Sequence, residues 1–225
     1  MELIGRGREA DVYALGEDRV LRRFRDGRPA EHEARVMRWL GAQGYPVPAV
    51  HEAAGTDLVM ERLHGPTMSE ALRRRPWRAV RYGALLGRLH RQLHALAAPE
   101  WLPRLRADGH GADTQEADGQ GAAVLHLDLH PDNVMLTGGG PRVIDWANAH
   151  AGPPEVDVAM TFVILRGIVL RPHERLLVRG LLRSMARSSG ADRRAGMPAA
   201  TQRRLADPNL TRAEEGLVHR LQRRG

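Results

Sequence analysis

His126-Leu127-Asp128-Leu129-His130-Pro131-Asp132-Asn133, followed by Ile144-Asp145-Trp146, is the stretch on which the reading of this chain turns. Apolar and polar residues alternate over 124–130, which predicts a strand entering a loop. On a period of two, His126, Asp128 and His130 share one face. Thr137-Gly138-Gly139-Gly140-Pro141 then predicts a turn between two short strands, with Asn133 and Asp145 at the ends of the hairpin. One carboxylate, one amide and a second carboxylate are the minimum equipment for moving a phosphoryl group from a magnesium-bound nucleotide to a hydroxyl. Asp128 can accept the hydroxyl proton, while Asn133 and Asp145 can hold the cation that bridges the phosphates. Two other readings stay open. His126, Asp128 and His130 suit zinc or iron, as in a metal-dependent hydrolase, although Asn133 and Ile144-Asp145-Trp146 are then left without a role. Alternatively, the strand is buried and its histidines are hydrogen-bonded structural groups.

The two linked motifs resemble the catalytic loop and metal-binding segment of the aminoglycoside phosphotransferase and choline-kinase-like family, small-molecule kinases with a protein-kinase-like fold. The resemblance runs from about Gly5 to about Leu182 and is dense between His126 and Asp157. It implies an α+β, protein-kinase-like two-lobed fold. A small β-rich N-lobe would span 1–60 and a hinge 61–66. A larger, mainly helical C-lobe with the catalytic loop and a basic tail would span 67–225. It further implies Mg²⁺ and ATP or GTP as phosphate donor, Asp128 as the catalytic base, Asn133 and Asp145 as metal ligands, and His130 near the phosphates. Gly152-Pro153-Pro154-Glu155-Val156-Asp157-Val158-Ala159 resembles the family segment whose aspartate braces the catalytic loop from a following helix, and Asp157 stands at that place.

The N-terminal sixty residues carry the nucleotide-gripping expectations. In Gly5-Arg6-Gly7-Arg8-Glu9-Ala10-Asp11-Val12-Tyr13, Gly5 and Gly7 would let backbone N–H groups approach phosphate oxygens; a plain hairpin is the alternative. Val20-Leu21-Arg22-Arg23-Phe24 predicts a strand, with Arg23 facing away from Arg22. By the resemblance, Arg22 stands where the family has its phosphate-gripping lysine, and Glu33, in the helical pattern Glu31-His32-Glu33-Ala34-Arg35-Val36-Met37-Arg38-Trp39-Leu40, stands where its helix glutamate pairs with that lysine. Guanidinium and carboxylate meet in a two-pronged geometry, yet arginine is bulkier and planar, so the exchange is not conservative. The competing reading makes both residues ordinary exposed charges. Leu58-Val59-Met60-Glu61-Arg62-Leu63 is an apolar strand running into a polar connection, and it resembles the family's hinge. Met60 would sit behind the adenine and the main chain of Glu61 and Leu63 would touch it, unless the segment is a plain edge strand.

Leu85, Leu86, Leu89, Leu93 and Leu96 mark a core helix over 77–96. His90 and His94, four apart, could share a metal, but no acid completes a His-Glu motif, so they read as structural. The stretch 99–123 is rich in Gly, Asp and Ala without periodicity and reads as a mobile loop. Helices follow from 159 onward, interrupted at Pro172, 188–190 and Pro208.

Composition narrows the classes further. A chain of 225 residues with 42% hydrophobic content can bury a sizeable core as one large domain or two small lobes. It contains no cysteine, which removes disulfides and thiol catalysis. It also contains no lysine, which removes a Walker-type phosphate loop and Schiff-base chemistry. The net charge of +7 is uneven: 1–170 carry 21 arginines against 22 acids, whereas 171–225 carry 13 arginines against 5 acids. That basic tail has no aromatic interleaving and no nucleic-acid motif, so it reads as a solvated helical face and argues against a nucleic-acid partner. The N-terminus turns polar at once, and the apolar run 156–170 contains Asp157 and Arg166 and is shorter than the ~20 residues a bilayer needs. A cytoplasmic protein without membrane contact is expected, its partners being a nucleotide and a small hydroxylated substrate. A basic C-terminal region disfavours a polycationic acceptor and suits a neutral or anionic one. A different class, a nucleotide-binding module with little transfer activity, is favoured by the missing lysine and opposed by the joint presence of Asp128, Asn133 and Asp145.

Overall fold

A computed structural model describes residues 1–7, 9–105, 112–113 and 122–223. In chain order the elements are β1 (Glu2–Arg6), β2 (Ala10–Ala14), β3 (Arg19–Phe24), α1 (Glu31–Ala42), β4 (Val50–Ala54), β5 (Asp57–Glu61), α2 (Met68–Arg74) and α3 (Ala79–His94). After these come β6 (Arg104–Leu105), β7 (Ala112–Asp113), β8 (Ala123–Leu125), β9 (Val134–Thr137), β10 (Gly140–Val143) and β11 (His150–Gly152). The chain closes with α4 (Pro154–Gly167), α5 (Pro172–Ser189), α6 (Arg193–Leu205) and α7 (Arg212–Gln222). Two compact units result: Met1–Thr67 with Val134–Ala147, and Met68–Asn133 with Asn148–Gly225.

The first unit is built on a five-stranded antiparallel sheet ordered β1-β2-β3-β5-β4. Strand β3 is central and reads accordingly: Val20, Leu21 and Phe24 are buried, while Arg23 turns outward to a two-pronged pair with Asp57. Helix α1 buries Ala34, Val36, Met37 and Leu40, the stripe its periodicity predicts. It runs on through Gly41 and stops at Gly44, whose φ of +77° lets the Tyr45 N–H return to the Leu40 carbonyl at 3.0 Å. Strands β9 and β10 form the predicted hairpin, with Val143 opposite Val134. Trp146 is fully buried below it, its indole N–H on the Val143 carbonyl and its ring edge-on to Tyr45 at 5.6 Å.

The second unit is helical around a small sheet ordered β7-β6-β11-β8. Leu86, Leu89 and Leu93 of α3 are buried as expected, whereas Leu85 is only half-buried. Helix α3 lies so close to α5 that a methyl group at Gly83 or Gly87 would overlap the carbonyl oxygens of Leu181 or Met185. Pro172 opens α5, Gly190 in the left-handed region ends it, and Pro208 lies between α6 and α7. A second cluster joins Leu125, Leu127, Val156, Met160, Val163 and Ile164 to Ala200 and Val218. No helix of the described residues is long and apolar enough to cross a membrane.

Two expectations change. The alternation over 124–130 is not one strand: β8 ends at Leu125, because Leu127 takes φ +62° and breaks the period of two. His126 therefore does not share an outward face with Asp128 and His130 but is fully buried. Within the stretch read as a mobile loop, β6 pairs with β7 and β11, and β8 begins at Ala123; residues 106–111 and 114–121 of that reading lie outside the described residues.

Candidate active site

In the first unit, Arg22, Glu33 and Asp145 come together. Arg22 is 8% exposed, and its guanidinium donates from Nη1 to Glu33 Oε1 and from Nη2 to Asp145 Oδ1, each at 2.6 Å. The expected Arg22–Glu33 pair is thus present, and neither residue is an ordinary exposed charge. Asp145 is the partner that sequence reasoning missed. Glu33 Oε1 also accepts the Trp146 N–H at 3.0 Å, while its Oε2 is buried without a partner. Burial pushes the Glu33 carboxyl up to about 7 against the pull of Arg22, and the Asp145 charge adds to the rise. Burial works against the Arg22 charge, but Glu33 and Asp145 outweigh it and raise the guanidinium further. Asp145 has φ +68°, a left-handed conformation that costs a residue with a side chain about 1–2 kcal/mol. Arg22 on one side and the seated Trp146 on the other hold it there.

The remaining expected residues of this unit lie along the sheet. Gly5 sits at a register irregularity of β1, and the Gly7 N–H closes the turn onto Ala10 O at 2.9 Å. Met60 is buried in β5 between Val20 and Val50. The Glu61 N–H is committed to Ala49 O at 2.8 Å, and Leu63 follows half-buried beyond the strand.

In the second unit, Asp128, His130 and Asn133 share one short loop ending in a 3₁₀ turn at Pro131–Asn133. Asn133 Nδ2 donates to the Asp128 carboxylate (3.0 Å) and to the Asp128 carbonyl (2.8 Å), so the amide oxygen of Asn133 points its lone pairs elsewhere. His130 Nε2 lies 3.4 Å from Asp128 Oδ1 and its Nδ1 3.5 Å from Asp132 Oδ2. Burial alone would lower His130, but the flanking Asp128 and Asp132 carboxylates push it up to about 9, which favours the protonated ring. Burial alone would raise Asp128, but His130 and Asn133 hold it below the usual carboxylate range, so it stays ionised.

Behind the loop stands a buried brace. Asp157, from the first turn of α4, accepts the Leu127 N–H (2.6 Å) and the His126 N–H (3.2 Å), which holds Leu127 in its left-handed backbone. His94 Nε2 lies 2.9 Å from the same carboxylate. Thr161, one turn further on, donates to Leu129 O at 2.6 Å; its only proton is then used, so His90 Nε2, 3.0 Å away, must donate to it. Burial raises Asp157, but the histidine rings beside it hold it well below the usual carboxylate range. Burial lowers His90 itself, against the pull of Asp157. The histidine pair read from sequence as lacking an acid therefore has one, Asp157. Those three residues form the one group of potential metal ligands among the described residues, with atoms within 4.8 Å of one another. The Asp157 oxygens and His94 Nε2 are already engaged in hydrogen bonds, which makes the group a strut for the loop. His126, Asp128 and His130 form no such group, and the hydrolase reading loses its ligand set.

Solved structures share this architecture. Aminoglycoside phosphotransferase APH(4)-Ia superposes with a TM-score of 0.66 at 18% identity, covering 99% of this chain and 93% of that one. ADP-bound aminoglycoside phosphotransferase APH(2'')-Ib gives 0.61 at 13% identity over 98% and 91%. An ethanolamine kinase of Plasmodium vivax gives 0.59 at 11% over 98% and 81%. At such identities the likeness establishes the fold: α+β, two-lobed and protein-kinase-like. The family model described as "Phosphotransferase enzyme family" matches residues 1–122 and 112–198, and the chain belongs to that family. Among individual relatives, the thiamine kinase of Salmonella paratyphi B is 35% identical over 69 residues, 31% of this chain but only 24% of that protein's length.

Proposed function

We propose that this protein transfers the γ-phosphoryl group of ATP or GTP to a hydroxyl of a small molecule. The observation that carries the reading is the Asp128 carboxylate, kept ionised and aimed by the Asn133 amide and the His130 ring on one loop. Asp128 takes the proton of the acceptor hydroxyl as the oxygen–phosphorus bond forms and the bond to the β-phosphate breaks, releasing the nucleoside diphosphate. Asn133 and Asp145 would each offer a hard oxygen donor that suits Mg²⁺: Asn133 commits its Nδ2 to Asp128, which leaves its amide oxygen, and Asp145 keeps Oδ2 after Arg22 has taken Oδ1. When bound, that cation neutralises charge on the phosphates. Arg22 would grip phosphate oxygens in place of a lysine, with Glu33 positioning it, and the Gly5–Gly7 backbone would cover them. The Glu61 carbonyl and Leu63 N–H would meet the base in front of Met60, at a hinge over 61–66 between lobes at 1–60 and 67–225. His130 would offset charge near the phosphates.

The tail, with 13 arginines against 5 acids over 171–225, favours a neutral or anionic hydroxylated acceptor over a polycationic aminoglycoside. Thiamine belongs in the acceptor panel because of the thiamine kinase relative. The test is nucleotide consumption by the full chain with Mg²⁺ across a panel of hydroxylated compounds, with Asp128→Ala run alongside. Asp128→Ala should lose about 10²–10⁴-fold in transfer while still binding nucleotide. Undiminished phosphorylation by that variant refutes the mechanism. Nucleotide binding with no transfer to any acceptor would make the protein a binding module instead.

A further inference from the structure

Most arginines of the C-terminal region are exposed, as a solvated helical face requires, but four of them converge with one from α4. Arg179, Arg183 and Arg187 recur every fourth residue along one stripe of α5. Together with Arg166 of α4 and Arg193 of α6 they line a cavity of about 340 Å³, within the range of small-molecule pockets. No acidic side chain lines it, and among the described residues none of these five guanidinium groups makes an ion pair. Other arginines among the described residues also lack a carboxylate, and Arg22, Arg23, Arg25, Arg28 and Arg204 have one; what sets these five apart is that they converge on one concavity. Phe162 sets the geometry, since the guanidinium groups of Arg193 and Arg166 stand 4.9 and 5.9 Å from its ring centre and are thereby aimed rather than free to wave.

Like charges four residues apart on a helix repel. Three in a row, faced by two more from neighbouring helices, form a concave surface whose field is relieved only by an anion. The cavity is also not the acceptor site of the phosphoryl-transfer reading. At about 100° per residue, Phe162 and Arg166 lie roughly 140–180° around α4 from Asp157, whose side chain marks the face turned to the catalytic loop. Thr161 shares that loop-facing side, on Leu129 O.

We propose that the α4–α5–α6 cavity is a second ligand site, which binds a small molecule carrying several phosphate groups through Arg166, Arg179, Arg183, Arg187 and Arg193. Guanidinium forks match phosphate oxygens two at a time, and a ligand with three or more negative charges neutralises the cluster as no single surface acid could. The proposal stands whether or not the phosphoryl-transfer reading does.

Inorganic tripolyphosphate is the probe, titrated calorimetrically into the full chain and followed by thermal unfolding. A polyphosphate could also enter a nucleotide site, so two variants separate the locations: Arg183→Gln/Arg187→Gln in the cavity and Arg22→Met outside it. The expected result is saturable binding that raises the unfolding temperature by roughly 5–10 °C at a hundredfold excess over Kd. Arg183→Gln/Arg187→Gln should weaken it at least about tenfold and Arg22→Met should leave it intact. The three arginines of α5 are exposed, so the cavity variant is expected to fold, which its unfolding transition without probe will show. Full-strength binding by the cavity variant, loss in Arg22→Met instead, or an equal shift with sulfate at matched ionic strength would each overturn the assignment.

Discussion

Replacing Arg22 by methionine should destabilise the first unit in a way that depends on pH. The substitution keeps most of the side-chain volume but removes the cation between Glu33 and Asp145. Glu33 is 2% exposed, its Oε2 has no partner, and only the Trp146 N–H would remain on Oε1. Breaking a buried pair by removing one partner costs about 3–5 kcal/mol when the charge left behind stays ionised. Glu33 can escape by taking a proton. With Arg22 present it does so at about 7; without it, burial and the Asp145 charge act unopposed and the value rises. Below about pH 7 both proteins hold Glu33 protonated, so the difference between them is only lost packing and hydrogen bonding. Above it the variant's folded state retains a proton that the unfolded chain releases, and the gap widens by about 1.4 kcal/mol per pH unit. Urea unfolding near pH 6 and near pH 8.5 should therefore show the gap growing by about 2 kcal/mol, some 4–8 °C in Tm for a chain of this size. Adding Glu33→Gln, which still accepts the Trp146 N–H but carries no charge, should abolish the pH-dependent part. A gap independent of pH, or a double variant no better than the single one, refutes the reasoning.

Asp157→Ala removes the acceptor for two backbone N–H groups and for His94, and should cost at least about 3 kcal/mol by chemical denaturation, with Leu127 released from its left-handed backbone. His130, raised from 6.5 to about 9 in the folded chain, contributes stability that is fully present below about pH 6.5 and lost as pH rises through 9. The difference in unfolding free energy between wild type and His130→Gln, at most about 3 kcal/mol, should vanish over that window; a difference that survives at pH 10 counts against the Asp128–His130–Asp132 arrangement. Gly87→Ala gains helix propensity yet drives a methyl group onto Met185 O, and thermal unfolding should show a net loss of about 1–3 kcal/mol.

How far the sequence spoke depends on how local each contact is. The stripe of α1 and the alternation of β3 can be read from neighbouring residues, which is why Arg23 was placed on the opposite face; the pairing of Arg22 with Glu33 came from the family resemblance and not from any local pattern. Asp145 as the second partner of Arg22 was not legible, since 123 residues separate them and no local pattern links them. The left-handed backbone at Leu127 had no glycine or asparagine to signal it, and the alternation there mimicked a longer strand. The brace left a fainter trace: His90 and His94 on α3, and Asp157 and Thr161 on α4, are each four apart on otherwise apolar faces. Two such polar pairs on buried helices suggest a mutual contact, although only packing shows that they meet. The arginine stripe of α5 was visible as a helical face, but its convergence with Arg166 and Arg193 depends on three helices.

The clasp at Arg22 has a chemical corollary. Succinimidyl esters and imine-forming aldehydes find no side-chain amine in this chain, because all 34 of its basic residues other than histidine are arginine. Such reagents will decorate the terminal nitrogen and leave the interior untouched. Dicarbonyl compounds, which cyclise on guanidinium, have a target at every one of those positions, yet Arg22, shielded and tied to two carboxylates, will be among the last to react.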